Sequence, residues 1–515
     1  MTRILTIRLV TFGTSIVCPG FRRISSAVKQ QFSDVVTYIY DVSGDKALII
    51  NDSLLDELAD ADVVGFSCAT QSAAYVQSAI NSLKACTIRP LIVWGGAHAS
   101  VFPEDAIKYA DVVCIGEGEH SLACLLDRLS EEQPINDVKG FWVNIPNGIV
   151  KNASIPLMTG DELSKMPFQD FGFDIFYVTS MDMTRLDESQ YNIHQGSVHT
   201  VLWSLGCPYH CTFCSNDKFI ANNAGNAIVR YPSPEYMIEE LRLVLKEHRY
   251  FSHISFTDDN FMLIKYEDIK LFCELYDRYI KLPFVVLGIH PLTIDTRKID
   301  ALLKVGLRKV RMGIQSGSER TLSFYNRKTP RQSILRANNY LASLYPQIIP
   351  PFYDIIIDNP IETDEDKMST VALLYEMKRP FILSVHSLRA IPGTQLYEFA
   401  QKNPQRNFLP IEYSSEYIQD KGYAFLLYLL ALWHSPAPLL NMFLYLSRSR
   451  YFSQPAFFIV QSLHAARVIY WENKLYGYPK SQVISRVFNR LIYKLLRIRY
   501  KGTSGAAPEW TVKRL

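Results

Sequence analysis

Over its first four hundred residues the chain alternates short apolar runs with amphipathic stretches of helical period. The runs RILTIRLVTFG, VVTYIYDV, ADVVGFSCAT, RPLIVWGGAHAS and ADVVCIGEGE are rich in β-branched residues and too brief for helices. Between them, apolar positions recur every three to four residues near Ser25–Phe32, Ala73–Lys84, Pro103–Lys108 and His120–Leu129. Buried strands separated by helices predict an α/β unit over residues 1–145, a doubly wound, Rossmann-like parallel sheet. Ligands of such sheets sit beyond the carboxyl ends of the strands. The chain places small or polar residues there: Ser67 and Thr70, then Gly95, Gly96 and His98, then Gly116, Glu117, Gly118 and Glu119. Each glycine taken alone could equally serve a tight turn.

Residues 146–195, with LSKMPFQDFGF, read as a connector. A second alternation then covers 196–405. HTVLWSLG, HISFTDDNF, PFVVLGIH, KVRMGIQSGSE, PPFYDIIIDNP and FILSVHSLRAIPGT are six strands, each followed by a helical stretch such as SPEYMIEELRLVLKEH or YEDIKLFCELYDRYI. Six β-then-α units predict a partial (β/α)6, TIM-like barrel with its chemistry at the strand carboxyl ends.

The alternation stops in the helical C-terminal segment, 406–515. GYAFLLYLLALWHSPAPLLNMFLYL is strongly apolar but is interrupted by His434, Ser435, Pro436 and Pro438, so neither part reaches the about 20 residues a bilayer crossing needs. Two buried helices closing the bottom or side of the cleft are expected. Further on, Arg486, Arg490, Lys494, Arg497 and Lys501 share one helical face, with Val487, Leu491, Leu495 and Ile498 near the other. That pattern suits a solvated basic face or a helix lying on an anionic membrane.

Composition changes this picture little. With 54 basic and 51 acidic residues the formal net charge is +3, too small to point to nucleic acid. The N-terminus runs straight into a strand pattern, so no signal peptide is read. Nine cysteines without a regular framework fit a reducing compartment, the cytoplasm.

Three of those cysteines, Cys207, Cys211 and Cys214, stand together in SLGCPYHCTFCSN with C-x3-C-x2-C spacing, directly after the first barrel strand. A structural zinc site wants four protein ligands in regular pairs, and the nearby His199 and His210 do not supply that spacing. A 4Fe–4S cluster takes four thiolates, so three leave one iron open to an outside ligand. The motif, with an aromatic before its last cysteine, resembles that of the radical S-adenosylmethionine superfamily. The strand ends SCAT, GGAH and GEGE likewise resemble the cobalamin-binding domain that precedes many such enzymes, over about residues 1–140, although the D-x-H-x-x-G motif is absent.

The resemblance implies a set of roles. Cys207, Cys211 and Cys214 would bind three irons, and S-adenosylmethionine would chelate the fourth and be cleaved reductively. Phe213 would pack near the adenine. Asp258, Asp259 and Asn260 would meet the methionine amino group, and Gln315, Ser316 and Glu319 the ribose or carboxylate. Ser67, Thr70, Gly95, Gly96, Gly116, Glu117 and Gly118 would hold cobalamin, with His98 either a loop cap beside the corrin or a cobalt ligand. The implied activity is methylation of an unactivated carbon of a small-molecule or lipid-like substrate. One S-adenosylmethionine would remethylate the corrin and a second would supply the radical. The alternative is a cobalamin-assisted oxidoreductase or cyclase; a non-catalytic binding module leaves the open iron unexplained. An electron donor such as flavodoxin or ferredoxin is implied as partner.

Overall fold

The computed structural model describes residues 3–43, 48–87, 89–411 and 417–476. The first sheet has nine strands: β1 (Thr6–Gly13), β2 (Asp34–Asp41), β3 (Val63–Cys68), β4 (Leu91–Gly95), β5 (Val112–Cys114), β6 (Phe141–Ile145), β7 (Gly148–Lys151), β8 (Ile175–Val178) and β9 (Met183–Arg185). Their order is β7-β6-β5-β4-β3-β1-β2-β8-β9. Strands β5, β4, β3, β1, β2 and β8 run parallel; β6, β7 and β9 are antiparallel additions. The near-continuous apolar runs are explained by burial on both faces. Val10, Phe12, Val64, Phe66 and Trp94 enter one core, while Ile7, Leu9, Val63, Val93 and Val112 enter the other.

The expected connector is therefore part of the first sheet: β8 pairs with β2, and β9 pairs with β8. Strands of three and four residues in a polar setting carry too little periodicity to be read from sequence.

The second sheet has six parallel strands in chain order: β10 (Val198–Val201), β11 (His253–Phe256), β12 (Phe284–Ile289), β13 (Leu307–Gln315), β14 (Phe352–Ile357) and β15 (Ile382–Ser387). Phe256, Val286, Met312, Ile314 and Ile355 belong to its core. Helix starts are set by ordinary caps. Ser233 accepts from Tyr236 N–H (3.2 Å) ahead of Pro234, and Thr363 and Asp366 form a capping box.

The C-terminal segment differs from the two buried helices expected. Helix Lys421–Leu432 is buried, but in helix Ala437–Ser447 only Leu440 is. Helix Arg450–Tyr476 lies across the beginnings of the barrel strands. Leu383 N–H donates to His464 Nε2 (3.2 Å), Lys309 Nζ pairs with Glu472 (3.2 Å), and His253 Nε2 meets Leu475 O (2.7 Å). It thus closes the barrel at the end opposite the cysteine loop. The basic face at 486–501 lies outside the described residues. Among those described, no helix is long and apolar enough to cross a membrane.

Candidate active site between two strand-end edges

The cysteine loop leaves β10 after Val201 and ends at Cys214, which caps helix Ser215–Asn222. Its shape is enforced by backbone. Leu205 and Arg230 exchange hydrogen bonds (2.8 and 2.9 Å), and Cys207 N–H donates to Asn226 O (3.0 Å). Gly206 sits at φ +94°, where a Cβ would be 2.5 Å from Ile228 O, so only glycine fits. Downstream, Thr212 is pinned to Tyr325 O and Phe324 O (3.0 and 3.1 Å).

Cys207 and Cys211 are buried and Cys214 is half-buried. Burial pushes the Cys207 thiol up to about 11 and Cys214 up to about 12, partly offset by the N–H groups of Tyr209 and Asn216 respectively. Arg327 donates to Cys211 Sγ (3.6 Å) and to Gly313 O (2.7 Å). Cys207 and Cys214 hold protons at neutral pH until iron displaces them. Among the described residues no three His, Cys, Asp or Glu side chains are placed to hold a single ion. Three thiols on one glycine-turned loop, with N–H and guanidinium donors beside them, fit three corners of an iron–sulfur cluster instead.

The structure divides the other barrel candidates. Asp258 is buried and accepts from Ser204 N–H and Oγ–H (both 2.5 Å), which makes it a brace for the cysteine loop. Burial raises it to about 6. Asn260 accepts from Thr293 Oγ1–H (3.0 Å), and Ser316 is fully buried against Thr370 (3.2 Å) and Ser318 N–H (3.2 Å). These three, expected at the nucleotide, have side chains engaged in loop hydrogen bonds. Glu319 is exposed on the first turn of helix Glu319–Phe324. Asp259 is solvent-reachable beside Asn216, and its charge is felt at Cys207 and Cys214. Gln315 holds φ +72° at the end of β13, with its amide over Gly313. A side chain other than glycine rarely sits there without a functional or packing reason. Phe213 meets Tyr325 edge-on at 5.1 Å.

Three residues had not been read from sequence. His290, just after β12, stacks on Tyr209 of the cysteine loop (4.1 Å, 11°). Its Nδ1 accepts Leu292 N–H (3.1 Å), and burial, with the Arg327 charge, lowers it to about 3. The ring is neutral with its proton on Nε2, and that buried N–H has no acceptor among the described residues. Arg327 Nε is likewise without a partner. Glu362 is raised to about 7 by burial; neither oxygen completes a hydrogen bond, although the Thr321 and Ser316 hydroxyls are close. Orphaned buried groups gathered around one loop mark a place for a ligand.

At the first sheet the expected cradle is partly filled. A Cβ on Gly96 (φ +85°) would be 2.5 Å from Ser67 Oγ, and one on Gly95 would touch Cys114. Gly118 packs under Ile24, whereas Gly116 (φ +87°) opens onto free space. Ser67 and Thr70 are half-buried. Glu117 is an interdomain tie, bonded to Arg230 (2.7 Å) and Met158 N–H (3.0 Å). His98, expected beside the corrin, has its ring turned into the sheet. It is 2% exposed, packed on Trp94 (5.2 Å) with Nε2 3.4 Å from Asp105, and burial lowers its pKa. Its helix turn aims it back into the sheet's core. The open space at Gly116, beside Ser67 and Thr70, fits a flat ligand lying across strand ends.

The two edges face each other. Asn222, ending the helix that follows Cys214, donates to Ser100 O (2.6 Å). Gly393, in the loop after β15, presses against Val101 O, where a Cβ would come within 2.1 Å. Gly116, Glu117, Phe219 and Asn222 line a crevice between the domains.

The family model of the Radical SAM superfamily matches residues 201–374, and that of the B12 binding domain matches residues 5–126. The chain belongs to the cobalamin-binding radical S-adenosylmethionine family. Its cofactors are a 4Fe–4S cluster, S-adenosylmethionine and cobalamin. It is 25% identical to an uncharacterized methyltransferase of Pyrococcus horikoshii over 350 residues, 67% of this chain and 70% of that one. Identity is 23% over 293 residues to the anaerobic magnesium-protoporphyrin IX monomethyl ester cyclase of Rubrivivax gelatinosus, covering 54% and 48%. It is 25% over 288 residues to the cytidylyl-2-hydroxyethylphosphonate methyltransferase of Streptomyces wedmorensis, covering 51% of each. The chain thus spans about half of the latter two. The fold is shared with the radical S-adenosylmethionine enzyme OxsB (TM-score 0.63, 16% identity, 97% of this chain and 77% of that one). It is shared also with the methyltransferase TsrM of Kitasatospora setae (TM-score 0.61, 16% identity, 77% and 76%).

Proposed function

We propose that this radical S-adenosylmethionine protein is a cobalamin-dependent methyltransferase acting on an unactivated carbon of a small molecule. The observation that carries the reading is the juxtaposition of the two edges, with Asn222 and Gly393 of the barrel seated on Ser100 and Val101 of the first domain. A substrate in that crevice would touch both cofactors. When bound, the cluster supplies one electron to the sulfonium and the corrin carries a methyl group.

The chain's own residues orient and exclude. Cys207, Cys211 and Cys214 hold the cluster, and the Arg327 guanidinium beside Cys211 offsets its negative charge. Asp259 offers a carboxylate to the methionine ammonium, and Gln315 an amide to the ribose or carboxylate. His290 Nε2–H supplies a donor that no group among the described residues uses. Phe213 and Tyr325 give the adenine an apolar wall. Glu362, poised near neutrality, can hold or release a proton at the barrel mouth. Gly116, Ser67 and Thr70 receive the corrin.

The electron comes from a small donor such as flavodoxin or ferredoxin, in the cytoplasm. The reading extends to a greasy substrate and to a peripheral membrane contact through the 486–501 face. The second reading, cyclisation or oxidation without methyl transfer, is favoured by the likeness to the Rubrivivax cyclase. Turnover with methyl-deuterated S-adenosylmethionine separates them: the product should carry the label. An unlabelled product that has lost hydrogen would select the second reading.

A further inference from the structure

Helix Arg450–Tyr476 is apolar on two opposite sides. Phe457, Val460, His464, Val468 and Trp471 face the rest of the protein. On the other side Tyr451, Pro455, Ile459, Leu463, Ala466 and Tyr470 fall within about a third of the helix circumference. Among the described residues nothing covers that stripe: Tyr451 is 96% exposed, Ile459 61%, Leu463 57% and Tyr470 58%. The preceding helix Ala437–Ser447 adds exposed Leu439, Met442 and Tyr445, and Trp433 is exposed at the turn before it. A helix apolar all round is ordinarily buried in protein or lipid.

Charge says what covers it. From Lys421 to Trp471 there is no aspartate or glutamate. Over the described residues 421–476 the chain has five lysines and arginines and one acidic residue, Glu472, which is paired with Lys309. Arg448 and Arg450 are exposed at the turn joining the two helices, and Lys474 is exposed at the far end of the stripe. Tyrosine and tryptophan beside apolar residues, rimmed by cations and free of acids, is the composition of an interfacial membrane helix. A protein partner of ordinary mixed charge would not need the acid-free rim.

We propose that the stripe Tyr451–Tyr470, with helix Ala437–Ser447, seats the protein on the surface of a bilayer carrying anionic headgroups. The 27-residue helix, about 40 Å long, lies in the interface and does not cross it. Because it closes the barrel opposite the cysteine loop, the catalytic mouth faces away from the lipid. The seat does not depend on the chemistry proposed above.

The test is sedimentation of the full-length protein with vesicles of phosphatidylcholine and phosphatidylglycerol, against phosphatidylcholine alone. Wild type should pellet with the anionic vesicles and be released by added salt. The double substitution Ile459→Glu with Leu463→Glu, at exposed positions, should lose that binding while reconstituted iron content and circular dichroism stay unchanged. Three results would overturn the proposal. Wild type stays in the supernatant; the double variant pellets as well as wild type, which assigns binding to residues 480–515; or light scattering shows a wild-type dimer that the variant makes monomeric, which assigns the stripe to a second copy. Should the double variant misfold, Tyr451→Ser with Tyr470→Ser gives the same reading through apolar loss alone.

Discussion

The two strand-end edges that meet at the crevice are finished differently. At the first sheet, groups that look available are engaged: Gly96 lies against Ser67, His98 on Trp94, Glu117 on Arg230. Open backbone remains mainly around Gly116. At the barrel, His290 Nε2, Arg327 Nε and both oxygens of Glu362 are buried and complete no hydrogen bond among the described residues. One edge offers shape and backbone, suited to a broad flat ring; the other offers unpaired donors and charge, suited to a sulfonium amino acid. Orphaned polar atoms therefore locate the nucleotide side better than glycines locate the corrin side.

The largest effect that would break this contrast is expected at Gly206. Gly206→Val places a side chain against Ile228 O and should remove most of the bound cluster, read as iron and sulfide per chain; full loading would show the loop is not backbone-defined. His290→Phe keeps the stack on Tyr209 but removes the N–H. It should weaken S-adenosylmethionine binding about tenfold, from loss of roughly 1.5 kcal/mol, measured by equilibrium dialysis with cluster content unchanged. Unaltered binding would make His290 structural.

Two glycines sharpen the other side. Gly96→Val should lower the melting temperature by several degrees, because it strikes Ser67 and the Cys68 backbone. Gly116→Ala should cost only about 1 kcal/mol of backbone strain yet reduce retained cobalamin, scored by its visible spectrum. Equal corrin retention in wild type and Gly116→Ala would move the corrin elsewhere. The smallest effect concerns Asp258. Its folded pKa of about 6 lies above the usual carboxylate value of about 4, so the folded chain binds more protons between them. Stability should fall as pH rises through that window and level off above it. Asp258→Asn should flatten this slope in thermal melts at pH 4 to 6.5; an unchanged slope would assign it to another group.

Much of this architecture was legible. Helix Ala73–Lys84 stands where its apolar spacing put it, and six β/α units follow one another with Cys207, Cys211 and Cys214 after the first strand. What sequence hid was tertiary. Strand β8 exists because β2 offers it an edge, and β9 because β8 does, not because three or four residues prefer extended backbone. His98 reads like a loop ligand until Trp94 and Phe102 are seen around it. His290 follows an ordinary strand, and only its stack on Tyr209 and its unused proton single it out. The expectation that both apolar C-terminal runs are buried failed at Ala437–Ser447, since apolarity does not say whether protein or another phase covers a face.

Three thiolates holding a cluster with one iron free should bind and split S-adenosylmethionine. Full-length protein prepared without oxygen, reconstituted with iron, sulfide and hydroxocobalamin, and reduced with dithionite should release 5′-deoxyadenosine. Cys207→Ala, Cys211→Ala and Cys214→Ala should each release none. A loaded cluster that never yields 5′-deoxyadenosine, or any one of these variants that still does, would contradict it.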